Sequence, residues 1–203
     1  MDKISSKMNQ LEHQNILFDT IKEVLEKARS QAYRAINSVM VQSYWEVGRL
    51  IVENEQKGEC RAEYGAAVIT ELSVRLNAEF GAGFSEQSLR NMRQFYQLYP
   101  NLSAVWSESG SIRSTMWSKL TWSHIKVILR IEKPEAREYY LNETIESNWS
   151  VRALERQVHA FYYERLLSSR DKQPVIQEMK EKTKSLIPKP PIFLSILFFT
   201  TSN

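Results

Sequence analysis

"FGAGFSEQSLRNMRQFYQLYP", Phe80 to Pro100, sets two glycines and a serine ahead of a run rich in arginine, asparagine and glutamine. Gly81 can take the left-handed conformation that ends a preceding helix. Ser85 is a good N-cap for a new one, and Phe84 before it can staple onto Leu89 across the first turn. Pro100 makes the new helix stop before it. One helix ends, another starts at once, and the product is a helical corner.

On a wheel of about 100° per residue, Leu89, Met92, Tyr96 and Tyr99 fall on one side of this helix. Gln87, Arg90, Asn91 and Gln94 gather on the other. Those polar types suit a major groove, where arginine can be bidentate to guanine and Asn or Gln to adenine. The helix start, with Ser85 and Ser88, also offers backbone N–H groups to a phosphate. Any surface helix has a polar face, so ordinary helical packing explains the same spacing. Both readings stand at this point.

Outward from the corner, the sequence is helical in character. Six glycines and six prolines are spread over 203 residues, and three of the prolines fall between Pro188 and Pro191. Such sparse punctuation predicts long helices and a mainly α fold. From Ile16 to Glu53 the residues Leu17, Ile21, Val24, Ala28, Ala35, Val39, Val47, Leu50 and Ile51 recur mostly at steps of three and four. That is the period of one long amphipathic helix, or of two meeting near Arg29 to Ala32. A polar loop follows around Gly58, and a helix from about Tyr64 to Phe80 is expected to turn Ile69, Leu72, Leu76 and Phe80 inward.

Beyond the corner, residues 101–118 are serine-rich and aperiodic, which predicts a loop or a short hairpin. A helix over about Trp122–Ile131 comes next, then one over Pro134–Glu146 with proline at its first position. Ser150 repeats the capping signal, with Trp149 able to staple onto Leu154. The helix it starts is expected to bury Val151, Leu154, Val158, Phe161 and Tyr162 and to end near Ser168. Helix resumes from Val175 to Lys184, and the final "SLIPKPPIFLSILFFTTSN" has no helical period.

The formal charge of +3 is too small to indicate a partner, but its distribution is informative. From Ser109 to Ile131 there is no acidic residue, while Arg113, Lys119, Lys126 and Arg130 are basic and Trp117 and Trp122 lie between them. Basic groups interleaved with aromatics suit a phosphate backbone; a solvated basic face is the plainer alternative. Cys60 is the lone cysteine, so there is no disulfide framework, and a reducing cytoplasm is the expected compartment. The N-terminus has no apolar signal region, and the "PPIFLSILFF" run is shorter than the roughly 20 residues a bilayer requires. No membrane partner and no small-molecule substrate are expected.

No catalytic or metal site is expected, and no cofactor. His13, His124 and His159 lack the spacing of a zinc site, and His124 reads best as a half-buried capping residue. There is no phosphate-binding glycine loop, and "GAG" at Gly81–Gly83 is explained by the turn. Glu178 and Lys180 spell the second half of a nuclease metal motif, but they lie in a helical polar stretch with no upstream strand to bring an aspartate.

Four segments carry a family resemblance: "YWEVGRLIVENEQ" from Tyr44, "YGAAVITELSVRLNAEFGAGFSEQSLRNMRQFYQLYP" from Tyr64, "LTWSHIKVILRIEKPEAREYYLNETIESNWSVRALERQV" from Leu120, and "FYYERLLSSRDK" from Phe161. Together, over about residues 15–185, they resemble the N-terminal domain of YhcG-type PD-(D/E)xK nucleases. The resemblance implies a helical bundle with a helix-turn-helix or winged-helix-like DNA-binding core and a long N-terminal helix, self-associating, in a bacterial cytoplasm. It implies duplex or branched DNA and a second copy of the chain as partners; the residues that the helix and the basic segment then offer to the DNA are Ser85, Gln87, Ser88, Arg90, Asn91, Gln94, Arg113, Lys119 and Lys126. The run from the corner through "LTWSHIKVIL" to "WSVRALERQV" is similar, more weakly, to the DNA-binding core of ParB partitioning proteins, with 85–99 as the reading helix and 120–158 as its support.

The implied organisation is a flexible N-terminus over 1–15, a helical domain over 16–168, and a linker helix with a poorly structured, truncated tail over 169–203. In the family a nuclease domain follows, so the residues that would cut DNA are not expected here. The alternative is a helical interaction module that pairs with a partner and never touches DNA.

Overall fold

The computed structural model describes residues 2–57, 62–107 and 117–184. They are mainly α-helical, with no β-strand among them, so the wing of a winged helix is not part of what is described. The tail from residue 185, Arg113, Cys60 and half of the expected loop or hairpin, residues 108–116, lie outside the described residues.

Helix α1 runs Asp2–Lys57 without a break, so the long helix is one and not two. The chain divides after Ile36 into two units. In the first, Leu17, Phe18, Ile21, Val24, Leu25 and Ile36 are all half or more exposed. In the second, beginning at Asn37, α1 follows its apolar period only in part, with Ile51 in a core cluster and Val47 packed against it. Val41, Trp45, Ile51 and Val52 are buried, while Val39 and Leu50 are exposed.

The corner forms as its sequence dictates. Helix α2 spans Ala62–Phe80, and Gly81 follows at φ +85 with its N–H on the Asn77 carbonyl at 3.1 Å. The Asn77 side chain takes the Phe84 N–H at 3.0 Å and braces the turn. Helix α3 spans Glu86–Leu98, and the Ser85 side chain accepts the Ser88 N–H, as an N-cap should. Phe80 departs from expectation: it lies at the helix end, past the packed face, and is exposed.

Inner residues of α3 hold the second unit together. Leu89 and Met92 join Ile51 and Ile69 in one apolar cluster, against which Phe84 and Leu72 pack. Phe95 belongs to the larger cluster with Val41, Trp45, Ile125, Ile128, Tyr140, Leu154 and Tyr162. All three α3 residues are fully buried, and truncating any one to alanine costs about 2–5 kcal/mol. At the α1 crossing the side-chain layer vanishes. A Cβ on Gly48 would lie 2.0 Å from the Met92 carbonyl oxygen, so only glycine lets the two backbones approach this closely.

Helix α4, Leu102–Ser107, occupies the start of the serine-rich stretch, where Leu102 finds a buried place that outweighs the local polarity. Helix α5 spans Trp122–Leu129 and opens with a capping box of Thr121 and His124. Helix α6, Pro134–Glu146, carries its proline in the first turn. Asn148 then takes a left-handed turn at φ 49, and Ser150 caps α7, Val151–His159. The expected continuous helix to Ser168 does not form. Phe161 adopts φ 49 and is exposed, and α8 starts afresh as Tyr162–Ser168. The Tyr140 hydroxyl fixes this break by donating to the Gln157 carbonyl at 3.2 Å and accepting the Tyr163 N–H at 3.0 Å. Helix α9, Gln173–Lys184, packs through Met179, which is buried in the main core.

Candidate nucleic-acid interface

Helix α3 presents its polar face outward. Gln87, Arg90 and Gln94 are exposed and Asn91 is half-buried. Each already has a partner in the fold. Gln87 donates to Asn91 Oδ1 at 3.0 Å, and Gln94 donates to the Leu129 carbonyl of α5 at 3.2 Å. Arg90 pairs with Glu86 at 2.9 Å, both side chains being 40% or more exposed. Ser85 and Ser88 share a hydroxyl contact of 3.1 Å. Exposed pairs of this kind contribute little to stability and exchange readily for a stronger ligand.

Glu86 matters to this face and was not among the expected site residues. It stands in the first turn of α3, where the helix dipole favours an anion, and also accepts from Thr70 at 3.0 Å. A carboxylate therefore occupies the place proposed for a phosphate, and it holds the arginine that would greet one. The i, i+4 spacing to Arg90 was readable in the sequence. Arg93, which ties α3 to Glu55 of α1 at 2.8 Å, was not, because 38 residues separate the partners.

The other expected basic residues divide. On α5, Trp122, Lys126 and Leu129 follow at steps of four and three and so share one stripe. Trp122 meets Phe95 of α3 at 6.0 Å between ring centres, the Leu129 backbone carbonyl takes the Gln94 amide, and Lys126, one turn on from Trp122, is half-buried. Lys119 points elsewhere. Its ammonium donates to the Ile145 carbonyl at 3.2 Å near the end of α6, where a cation suits the helix terminus. The tryptophans of the basic segment pack inward: Trp117 against Phe95 and Tyr99, and Trp122 against Tyr44 and Phe95.

His124 has the capping role expected of it. Its Nδ1 accepts the Thr121 N–H at 3.1 Å, which leaves the proton on Nε2 to be donated to the Trp149 carbonyl at 3.1 Å. Burial lowers its pKa, and the bond to Trp149 opposes this only in part. The Glu178–Lys180 fragment lies on α9, where hydrogen bonds from Arg165 and then Lys182 hold the Glu178 carboxyl at about 2. No group of three acidic, histidine or cysteine residues among the described residues could hold a metal ion. No helix among them is long and apolar enough to cross a membrane.

A mainly helical unit, organised around a corner helix that turns a polar face outward, is the class of domain that these elements define. The chain matches the DUF1016 N-terminal domain over residues 20–165 and belongs to that family. It is also similar to the protein named "Putative nuclease YhcG" of Escherichia coli (strain K12), with 32% identity over 194 residues that cover 85% of this chain and 52% of the relative. The chain thus spans about half the length of that curated relative. No solved structure matches it significantly.

Proposed function

We propose that this chain is a DNA-binding, self-associating module of the kind that forms the N-terminal half of a YhcG-type nuclease, acting in the cytoplasm. The observation that carries the reading is α3: a capped helix in a helical corner that turns Gln87, Arg90, Asn91 and Gln94 outward. Lys126 on the neighbouring stripe supplies a cation for the phosphate backbone. The assignment is of binding and not of cleavage, because Glu178 is committed to Arg165 and Lys182 and Met179 between it and Lys180 is spent in the core.

A mobility-shift titration of duplex and branched DNA tests it. Binding is expected at about 50 mM salt and to weaken steeply by 200 mM, as phosphate contacts release counterions. No shift of either DNA at the lower salt overturns the reading.

The internal partners of Gln87, Arg90, Asn91 and Gln94 favour a second reading, a helical interaction module without DNA contact. Under that reading Arg90→Ala with Asn91→Ala leaves any residual DNA retention unchanged. Under the first, binding drops and oligomeric state holds.

A further inference from the structure

The first unit of α1 has an outward face with an internal order of its own. Phe18, Ile21, Leu25, Ala28, Ala32 and Ala35 follow one another at steps of 3, 4, 3, 4 and 3, the alternation of a coiled-coil seam. Phe18 is 66% exposed, Ile21 50% and Leu25 53%. Ala28 and Ala35 are exposed and Ala32 half-buried. The bulky members come first and the alanines last.

This order is complementary to itself in reverse. If a second copy lies antiparallel, Phe18 meets Ala35 of its twin, Ile21 meets Ala32 and Leu25 meets Ala28, and the same three layers recur on the far side of a two-fold axis. Every layer then holds one large and one small side chain at a uniform helix separation. A parallel pair would stack large on large over one half and alanine on alanine over the other, leaving half the seam underpacked. Leu17, Val24 and Ile36, also half or more exposed, flank the seam. Burying the large apolar groups of both copies brings the pair toward the ~1,000 Å² that a specific interface needs.

We propose that residues Leu17–Ile36 of α1 pair with the same segment of a second copy as an antiparallel two-stranded coiled coil. This rests on the self-association part of the functional reading and gives it a segment and a direction. Closure is two-fold and isologous, so the pairing stops at a dimer. One cost follows from the charges: Lys22 of each copy flanks Arg29 of the other. Both are exposed, so added salt screens the repulsion and the dimer tightens with salt, whereas DNA binding loosens.

The full chain in sedimentation equilibrium provides the test, at 50 and 300 mM salt, with Ala28→Leu and Leu25→Asp as variants. A dimer is expected that is stronger at the higher salt. Leu25→Asp is expected to raise its dissociation constant at least tenfold with helix content kept. Ala28→Leu separates the directions. It collides with Leu25 of the antiparallel twin and weakens the dimer about tenfold, but it would fill an alanine layer of a parallel pair and strengthen it. A spin label on Asp19, in a chain with Cys60→Ser, reads the direction independently. The two labels stand about 22 Å apart along the axis if antiparallel, from the 1.5 Å rise per residue, and level with each other if parallel. A monomer at all concentrations, a dimer strengthened by Ala28→Leu, or level labels each overturn the pairing. A monomer that still shifts DNA overturns the pairing alone, and a dimer that never shifts DNA overturns the DNA reading alone.

Discussion

The imidazole of His124 donates through Nε2 to the carbonyl of Trp149, 3.1 Å away, and joins the start of α5 to the turn before α7. Because Nδ1 is occupied by the Thr121 N–H, a second proton would break the cap from within. Burial lowers the folded pKa below the unfolded value near 6.5. The unfolded chain therefore takes up the proton first as pH falls. Stability from this group is complete above about 6.5 and drains below it, at up to about 1.4 kcal/mol per pH unit. Urea denaturation of the wild type and His124→Gln at pH 7.5 and 5.5 is expected to show a gap of about 1–3 kcal/mol at the higher pH that narrows at the lower. A gap that does not change with pH would show that His124 does not titrate on unfolding.

Gly48 tests the backbone crossing. Its alanine Cβ would meet the Met92 carbonyl oxygen at 2.0 Å and the carbonyl carbon at 2.6 Å, and no rotamer can relieve a clash with backbone. Gly48→Ala is expected to cost about 3 kcal/mol or more. Gly83→Ala, which meets nothing within 4 Å, serves as control and should be neutral or slightly stabilising. Equal melting temperatures for the two variants would refute the close approach.

Glu86 and Arg90 make opposite predictions for DNA. Glu86→Gln removes a negative charge from the α3 N-terminus and frees Arg90, so DNA affinity is expected to rise several-fold. Arg90→Ala with Asn91→Ala is expected to lower it at least tenfold. Since both side chains of the Arg90–Glu86 pair are 40% or more exposed, neither change should move stability by more than about 1 kcal/mol. A mobility shift run beside a thermal melt checks both, and affinities that ignore both substitutions speak for the interaction module.

Phe161 occupies a backbone conformation that costs a residue bearing Cβ about 1–2 kcal/mol. At Asn148, with the same φ of 49, the chain uses the side chain best suited to it. Phe161→Asn is therefore expected to stabilise by about 0.5–1 kcal/mol, seen as a melting rise of roughly 1–4 °C. A lower melting temperature would mean that the 65% exposed ring contributes packing that outweighs its strain.

Signals that act within a turn or two were legible in the sequence. Gly81, Ser85, Pro134 and Ser150 each do locally what their chemistry requires, and so does His124 in its capping box. Features that depend on distant partners were not. The α7–α8 break satisfies no local breaker; it is held by Tyr140, 23 residues before Tyr163. The buried stripe of α1 beyond Ile36 is chosen by the helices around Trp45, and apolar spacing alone put Leu50 where Val52 belongs. Within the candidate site, wheel geometry found the exposed face of α3, but it could not foresee that Lys119 would turn to the Ile145 carbonyl or that Trp117 and Trp122 would pack inward.

Gly48 and Arg93 together have one more consequence. Helix α3 rests backbone to backbone on α1 at Met92, and one residue later a guanidinium grips Glu55. Neither a roll nor a slide of α3 is possible without lifting a main chain off its neighbour. Whatever meets its outer face meets a main chain already set in place, so association spends little entropy on ordering the backbone, while the exposed side chains there remain able to change partners.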